Sequence, residues 1–298
     1  MRFINTKLVT HKNCWDGSAA AILFMSAGGK RENIVFSNPD HESTDEIAKN
    51  LYYNWQHDIL FVDVSISEET AELLKNREDI LLFDHHKSAI SLAKYKFCTV
   101  DKNNDNCGSK LFYKWLISEG FYSLIRYKEF IDCVDDVDRW QHQLKESNDI
   151  GTLHGILGVN LFIERFFKTS SILLTNEEKF VIHLENIKYI DFLKEKKSSV
   201  IIKDKKFNNI NYRIGFVYAG GSYRSKLGND LCNDHDLNID AIIMISNDYI
   251  SMRSNGKVDV SRIATKYGGG GHYSAAGMGT YNIIGNTLLD LIADKLEM

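Results

Sequence analysis

Alternation in the first half of the chain limits the fold more than any other feature. Apolar runs at Phe3–Thr10, Ile34–Ser37, Asp58–Val64 and Ile80–Phe83 are separated by stretches with helical character. The first of these, Gly17–Met25, is stopped by Gly28 and Gly29. A second begins near Ser43, where Ser43-x-x-Glu46 reads as a capping box, and a third opens at Ser67. Strands separated by helices of roughly 10–15 residues make βαβ units, so a mostly parallel sheet in an α/β fold is expected.

From Gly108 to about Lys197 the pattern is helical. Thr175 opens a long amphipathic segment with Phe180, Ile187, Ile190 and Leu193 at helical spacing, ending in the charged patch Lys194–Lys197. Strand-like runs then resume at Ser199–Ile202, Tyr212–Tyr218, Ala241–Ser246 and Tyr249–Arg253. Helices are expected at Arg224–Asn233, Val260–Tyr267 and Asn286–Leu296. With 298 residues the chain has room for two cores. The expected division is a parallel-sheet domain at 1–172, a helical linker at 173–198 and a smaller α/β domain at 199–298.

Three strands of the first half end in the same kind of residue. KLVTH ends at His11, with Asp16 just beyond; ILFVD ends at Asp63; LLFDHH ends at Asp84, His85 and His86. The carboxyl ends of strands in an open parallel sheet face one crevice, where ligands bind. Each residue has an ordinary reading: His11 a loop histidine, Asp16 or Asp63 a helix cap, His85 and His86 a strand end. Their convergence at one edge favours a metal site. Carboxylates mixed with imidazoles suit manganese, iron or zinc better than copper. Several carboxylates in one crevice repel one another without cations between them. Two ions bridged by one carboxylate would relieve this and activate a water for attack on phosphorus. A further acid should come from Ile131–Trp140, where acids are interleaved with large apolar residues; spacing leaves both Asp136 and Asp138 open.

The second half carries Arg253 and Ser254, then the run Gly268, Gly269, Gly270 and Gly271 followed by His272. Successive glycine N–H groups can form an anion-binding nest, which an arginine and a histidine would complete as a phosphate site. A flexible linker is the plainer reading, but the flanking Ser274-Ala-Ala-Gly277 looks packed.

A net charge of −4 argues against a surface built for long nucleic acid, so no stable binding to long duplexes is expected. A small or short anionic substrate held by local cations fits better. Five cysteines in no framework spacing suggest reduced thiols inside the cell. The N-terminus shows no cleavage-type pattern and no apolar run is long enough for a bilayer, so a cytoplasmic protein is expected. The oligomeric state stays open, a homodimer included.

The FDHH motif, the upstream VTHKNCWDGSAA, the acid of FVDVS and the later GGGGHYSAAGM together resemble the DHH phosphoesterases. That superfamily includes RecJ-type exonucleases, nano-RNases and cyclic-dinucleotide phosphodiesterases. Similarities at Asn106–Leu111 and Ser222–Ser225 extend the likeness over nearly the whole chain.

The resemblance implies an N-terminal catalytic domain with two divalent ions, most often manganese, with magnesium, iron or zinc as alternatives. A DHH-associated domain would lie across a cleft. By motif, His11 and Asp16 would be ligands, Asp63 would bridge the ions, His85 would bind the second, and Asp136 best matches the last ligand. Asp84 would orient a neighbouring imidazole, and His86 would contact the scissile phosphate. Arg253, Ser254, the four glycines and His272 would hold the other end of the substrate. The implied activity is hydrolysis of short oligonucleotides of the oligoribonuclease kind. The rivals are a cyclic-dinucleotide or 3′,5′-bisphosphonucleotide phosphohydrolase and, from another class, a catalytically weak nucleotide sensor. One departure stands out: Cys14 occupies the first position of the usual D-x-D pair, and Trp15 follows where a closely similar branch has proline.

Overall fold

The apolar runs of the first half are strands of one parallel sheet. The computed structural model describes residues 3–38, 40–207, 210–221 and 223–280. Strands β1 (Lys7–His11), β2 (Ile34–Ser37), β3 (Ile59–Val62), β4 (Ile80–Asp84) and β5 (Cys98–Val100) lie in the order β2-β1-β3-β4-β5, every pair parallel. The edge strand β5 was not expected; it is three residues long and half-exposed, so it carries little apolar signal.

Helices cover both faces. Leu8, Leu60 and Phe83 pack with α1 (Trp15–Ser26), α4 (Gly108–Ser118), α5 (Lys128–Asp138) and α6 (Ser147–Lys168) on one side. Val9, Phe61 and Leu82 pack with α2 (His41–Asn54) and α3 (Glu68–Leu74) on the other. Neighbouring residues serve opposite layers because side chains alternate along a strand. Each fully buried Leu, Ile or Phe contributes about 1.5–3 kcal/mol.

The caps correct one reading. Helix α2 starts at Asp40, whose carboxylate accepts from the Ser43 N–H at 2.7 Å and the Ser43 hydroxyl at 3.0 Å. Ser43 is therefore the third helical residue, not the cap. At α3 the Ser67 hydroxyl accepts from the Thr70 N–H at 3.2 Å. The long helix α7 (Asn176–Ser198) opens on a reciprocal box: Glu178 N–H to Thr175 Oγ1, and Thr175 N–H to Glu178 Oε2.

The chain divides into two compact units, Met1–His183 and Leu184–Met298, with the division inside α7. The second unit holds β6 (Ile201–Phe207), β7 (Ile210–Tyr218), α8 (Arg224–Cys232), β8 (Ala241–Ile245), β9 (Tyr249–Ser254), α9 (Val260–Lys266), β10 (Gly270–His272) and β11 (Ala275–Gly279). Its sheet runs β10-β11-β9-β8-β7-β6, parallel at β7/β8 and antiparallel elsewhere. Strands β10 and β11 are rich in glycine and alanine, poor strand formers by propensity, and owe their state to pairing, β10 with β11 and β11 with β9. The helix expected at Asn286–Leu296, and Ser222, lie outside the described residues. Among the described residues no helix is long and apolar enough to cross a membrane.

Candidate metal centre and phosphate-binding residues

Strands β1, β3 and β4 are neighbours, and their carboxyl ends deliver His11, Asp63 and Asp84–His86 to one edge of the sheet. Two close approaches hold the helices there. A Cβ on Gly17 would lie 2.1 Å from the His11 carbonyl oxygen, so only glycine lets the first turn of α1 rest on the end of β1. A Cβ on Gly108 would lie 2.8 Å from the Asp63 Cα, which imposes the same demand at the start of α4. Asp63 itself has left-handed backbone, φ +59°, an unfavourable state for a non-glycine residue, and its N–H donates to the Phe83 carbonyl at 3.0 Å.

The resulting cluster is centred on Asp63. Its Oδ2 lies 3.2 Å from His11 Nδ1, and its Oδ1 lies 3.6 Å from His85 Nε2 and 3.8 Å from His86 Nδ1. Asp84 accepts from the backbone N–H groups of His85 and His86 and faces His86 Nδ1 at 2.7 Å, so it orients the His86 ring. His85 Nδ1 faces Asn104 Oδ1 at 3.0 Å, while its Nε2 faces Asp138 Oδ2 at 3.2 Å. Asp16 Oδ1 accepts from the Ser109 N–H at the start of α4.

One sequence expectation is corrected. Asp136 does not join the cluster: its carboxylate accepts from the N–H groups of Gln143 and Leu144 and from the Ser147 hydroxyl, tying the chain after α5. Asp138 stands beside His85 instead, its Oδ1 accepting from Trp15 Nε1 at 3.1 Å. Two positions along a helix differ by about 200°, so the two acids leave α5 on opposite sides. Asp136→Ala should cost about 1–2 kcal/mol in chemical denaturation and leave cation binding unchanged. Asp138→Ala should do the reverse, as isothermal calorimetry with Mn2+ would show.

Electrostatics make the cluster an unbalanced one. Burial, then the charges of Asp63 and Asp138, push the Asp16 carboxyl well above the usual carboxylate range. Asp63 is also buried, yet the His11 and His85 hydrogen bonds hold its pKa below that range. Burial disfavours charge on His85, but Asp138 and Asp63 raise its pKa strongly. For His86 burial is likewise outweighed, chiefly by Asp84, which lifts it to about 9. Asp16 Oδ2 and Asp84 Oδ2 are buried with no hydrogen-bond partner among the described residues.

Such orphaned oxygens among imidazoles fit divalent cations, which would neutralise the carboxylates together. Three sets have ligand-type atoms within 4.8 Å of one another: His11, Cys14 and Asp63; Asp16, His85 and Asp138; and Asp63, Asp84, His85 and His86. The pKa values of Asp16 and His85 are both raised, so protons compete with a cation at these two groups. Affinity should therefore be weak at acidic pH and rise with pH, with proton release measurable by calorimetry in buffers of different ionisation enthalpy.

In the second unit, Arg253 of β9, Ala275 of β11 and His272 of β10 form one cross-strand row, so their side chains share a face of the sheet. Helix α8 covers the Arg253 end of that face, where the guanidinium donates to Ser225 Oγ at 2.9 Å. Arg224 stacks its guanidinium 5.0 Å from the Tyr249 ring centroid. Neither arginine has a carboxylate partner among the described residues, so the pair suits an anion.

Two expectations change here. Ser254 is one residue along β9 and so faces away from Arg253, and its hydroxyl accepts from the N–H groups of Gly256 and Val258. The glycine run is not an open nest: the N–H groups of Gly268 and Gly269 close the end of α9 on Thr265 and Ala264, and Gly270 and Gly271 pair with β11. The sequence reading missed Asn104 and Trp15; only their nearness to acidic motifs hinted at them.

The chain is similar to several known proteins. Residues 220–297 match the DHHA1 domain. Oligoribonuclease NrnB of Bacillus subtilis is 27% identical over 286 residues, covering 89% of this chain and 70% of that protein. RecJ of Thermus thermophilus in complex with Mn2+ has a similar fold, with TM-score 0.55 and 13% identity; 97% of this chain is covered, and about half of RecJ (52%). The pGpG-specific phosphodiesterase PggH of Vibrio cholerae has TM-score 0.51 and 16% identity, covering 98% of this chain and 97% of PggH. The Asp84-His85-His86 triplet closing β4, the DHHA1 match and the similarity to NrnB together support the resemblance to the DHH-family phosphoesterases.

Proposed function

We propose that this protein hydrolyses the phosphodiester bonds of short oligonucleotides, two to a few residues long, with two divalent cations, manganese being favoured at the oxygen-rich Asp16–His85–Asp138 set. The observation that carries the proposal is Asp63, which presents one oxygen to His11 and the other to His85 and His86 beside the unpartnered Asp16 Oδ2. His11 and Asp63 would hold one cation, and Asp16, Asp63, His85 and Asp138 the other. The cations supply Lewis acidity and charge neutralisation at phosphorus.

The chain's own groups do the rest. Asp84 fixes His86 by its Nδ1 and keeps the ring cationic near neutral pH, so Nε2 can donate to a phosphate oxygen. Asn104 and Trp15 hold His85 and Asp138 in place from outside the centre. In the second unit Arg253, Arg224 and His272 would form a set suited to a phosphate. The oligoribonuclease activity of NrnB and the pGpG-specific phosphodiesterase activity of PggH support a short substrate.

The test is chromatography of a labelled RNA dinucleotide after incubation with purified protein and Mn2+. Conversion to mononucleotides is expected, abolished by a chelator and reduced by about 10²-fold or more in His85→Ala. An intact dinucleotide would refute the proposal. Binding without turnover in both wild type and His85→Ala would point to a nucleotide-binding module instead.

A further inference from the structure

The two halves of the cluster differ in chemical softness. Around Asp16, His85 and Asp138 the donors are carboxylate oxygens and one imidazole. Around His11 and Asp63 the third donor is the Cys14 sulfur, within 4.8 Å of ligand-type atoms of both. Cys14 occupies the N-cap position of α1, where serine, threonine, aspartate or asparagine would normally bond the helix N–H groups. Its side chain makes no such bond. The Ser18 hydroxyl donates to the Cys14 carbonyl at 2.8 Å, and the thiol's hydrogen bond to Asp138 Oδ1 is long at 3.9 Å. The left-handed Asn13, φ +57°, turns the chain between His11 and Cys14. A residue that fails as a cap, yet is held beside an imidazole and a carboxylate, is suited to a ligand's role.

We propose that Cys14 is a sulfur ligand in this protein's first cation subsite, giving a His11–Cys14–Asp63 donor set that prefers a borderline or thiophilic divalent cation. Zinc, ferrous iron, cobalt or cadmium would be favoured there over manganese or magnesium, while the Asp16–His85–Asp138 set favours hard cations. The centre is thus asymmetric. The inference rests on the two-cation reading of the site, and the test separates the two.

Apo-protein is titrated with Co2+ and followed by absorption spectroscopy, alongside Cys14→Ser, Cys14→Asp and Cys107→Ser. Wild type and Cys107→Ser should show a near-ultraviolet thiolate-to-cobalt charge-transfer band together with visible d–d bands. Cys14→Ser should lose the charge-transfer band and keep d–d absorption from the second subsite. Cys14→Asp should lower the ratio of Cd2+ to Mn2+ affinity by about tenfold or more, read by competition. Visible d–d bands in wild type without the charge-transfer band would overturn the sulfur ligand and leave the two-cation centre standing. Absence of any cobalt spectrum would overturn both.

Discussion

Asp63→Asn should lower turnover of a short oligonucleotide by about 10³-fold, the largest loss expected for any single substitution in this protein. Asparagine keeps the size of the side chain and tolerates the left-handed backbone that position 63 adopts, so the fold has no steric reason to change. What disappears is the shared negative charge between His11, His85 and His86. Cation affinity should fall by about 10–100-fold in the same variant. The His86 pKa, held up chiefly by Asp84 with Asp63 behind it, should drop from its value of about 9. Steady-state kinetics, Mn2+ calorimetry and the NMR titration of imidazole C–H resonances read the three effects separately. Wild-type turnover in Asp63→Asn would remove this residue from the centre.

Gly17→Ala should carry the largest cost in stability, and its sign is diagnostic. Helix propensity alone predicts a gain of about 1 kcal/mol, because alanine replaces glycine within α1. Against that, the new methyl would lie 2.1 Å from the His11 carbonyl oxygen, a backbone atom that cannot rotate aside. Overpacking of this kind costs about 3 kcal/mol and should dominate. The midpoint of urea unfolding should fall. Cation affinity should fall with it, since His11 and Asp16 are carried by the two segments forced apart. A stabilised variant would show that α1 does not rest on β1 as described.

Much of this site was legible because apolar strands end in polar residues for few reasons. A run such as ILFV is buried at every position, so the acid directly after it must lie at the sheet edge. In a parallel sheet those edges coincide. His11, Asp63 and His85 can thus be grouped from the sequence alone. The cap of α3 was legible for a similar reason, since Ser67 bonds a group only three residues away. The plausible Ser43-x-x-Glu46 pattern was not the cap; Asp40, three residues earlier, is.

Residues whose roles depend on orientation were not legible. Asp136 and Asp138 share a helix, a charge and an apolar setting, and only the rotation of α5 against α1 brings one to His85 and the other to Gln143, Leu144 and Ser147. Ser254 and Arg253 are adjacent, but strand alternation sends them to opposite faces. The glycines 268–271 suggested a nest, whereas the N–H groups of Gly268 and Gly269 close the end of α9 and Gly270 and Gly271 lie in the ladder with β11.

Sequence by itself determined the class of fold, the edge of the sheet where the chemistry gathers, and the donor types available there. These depend on periodicity and on local hydrogen bonds, which span a few residues. Tertiary structure alone decided which of two aspartates faces His85, that Trp15 and Asn104 brace the centre, and that Cys14 sits beside His11 and Asp63. Those outcomes depend on how helices turn and seat against the sheet, which is set by packing between segments as distant as Trp15 and Asp138.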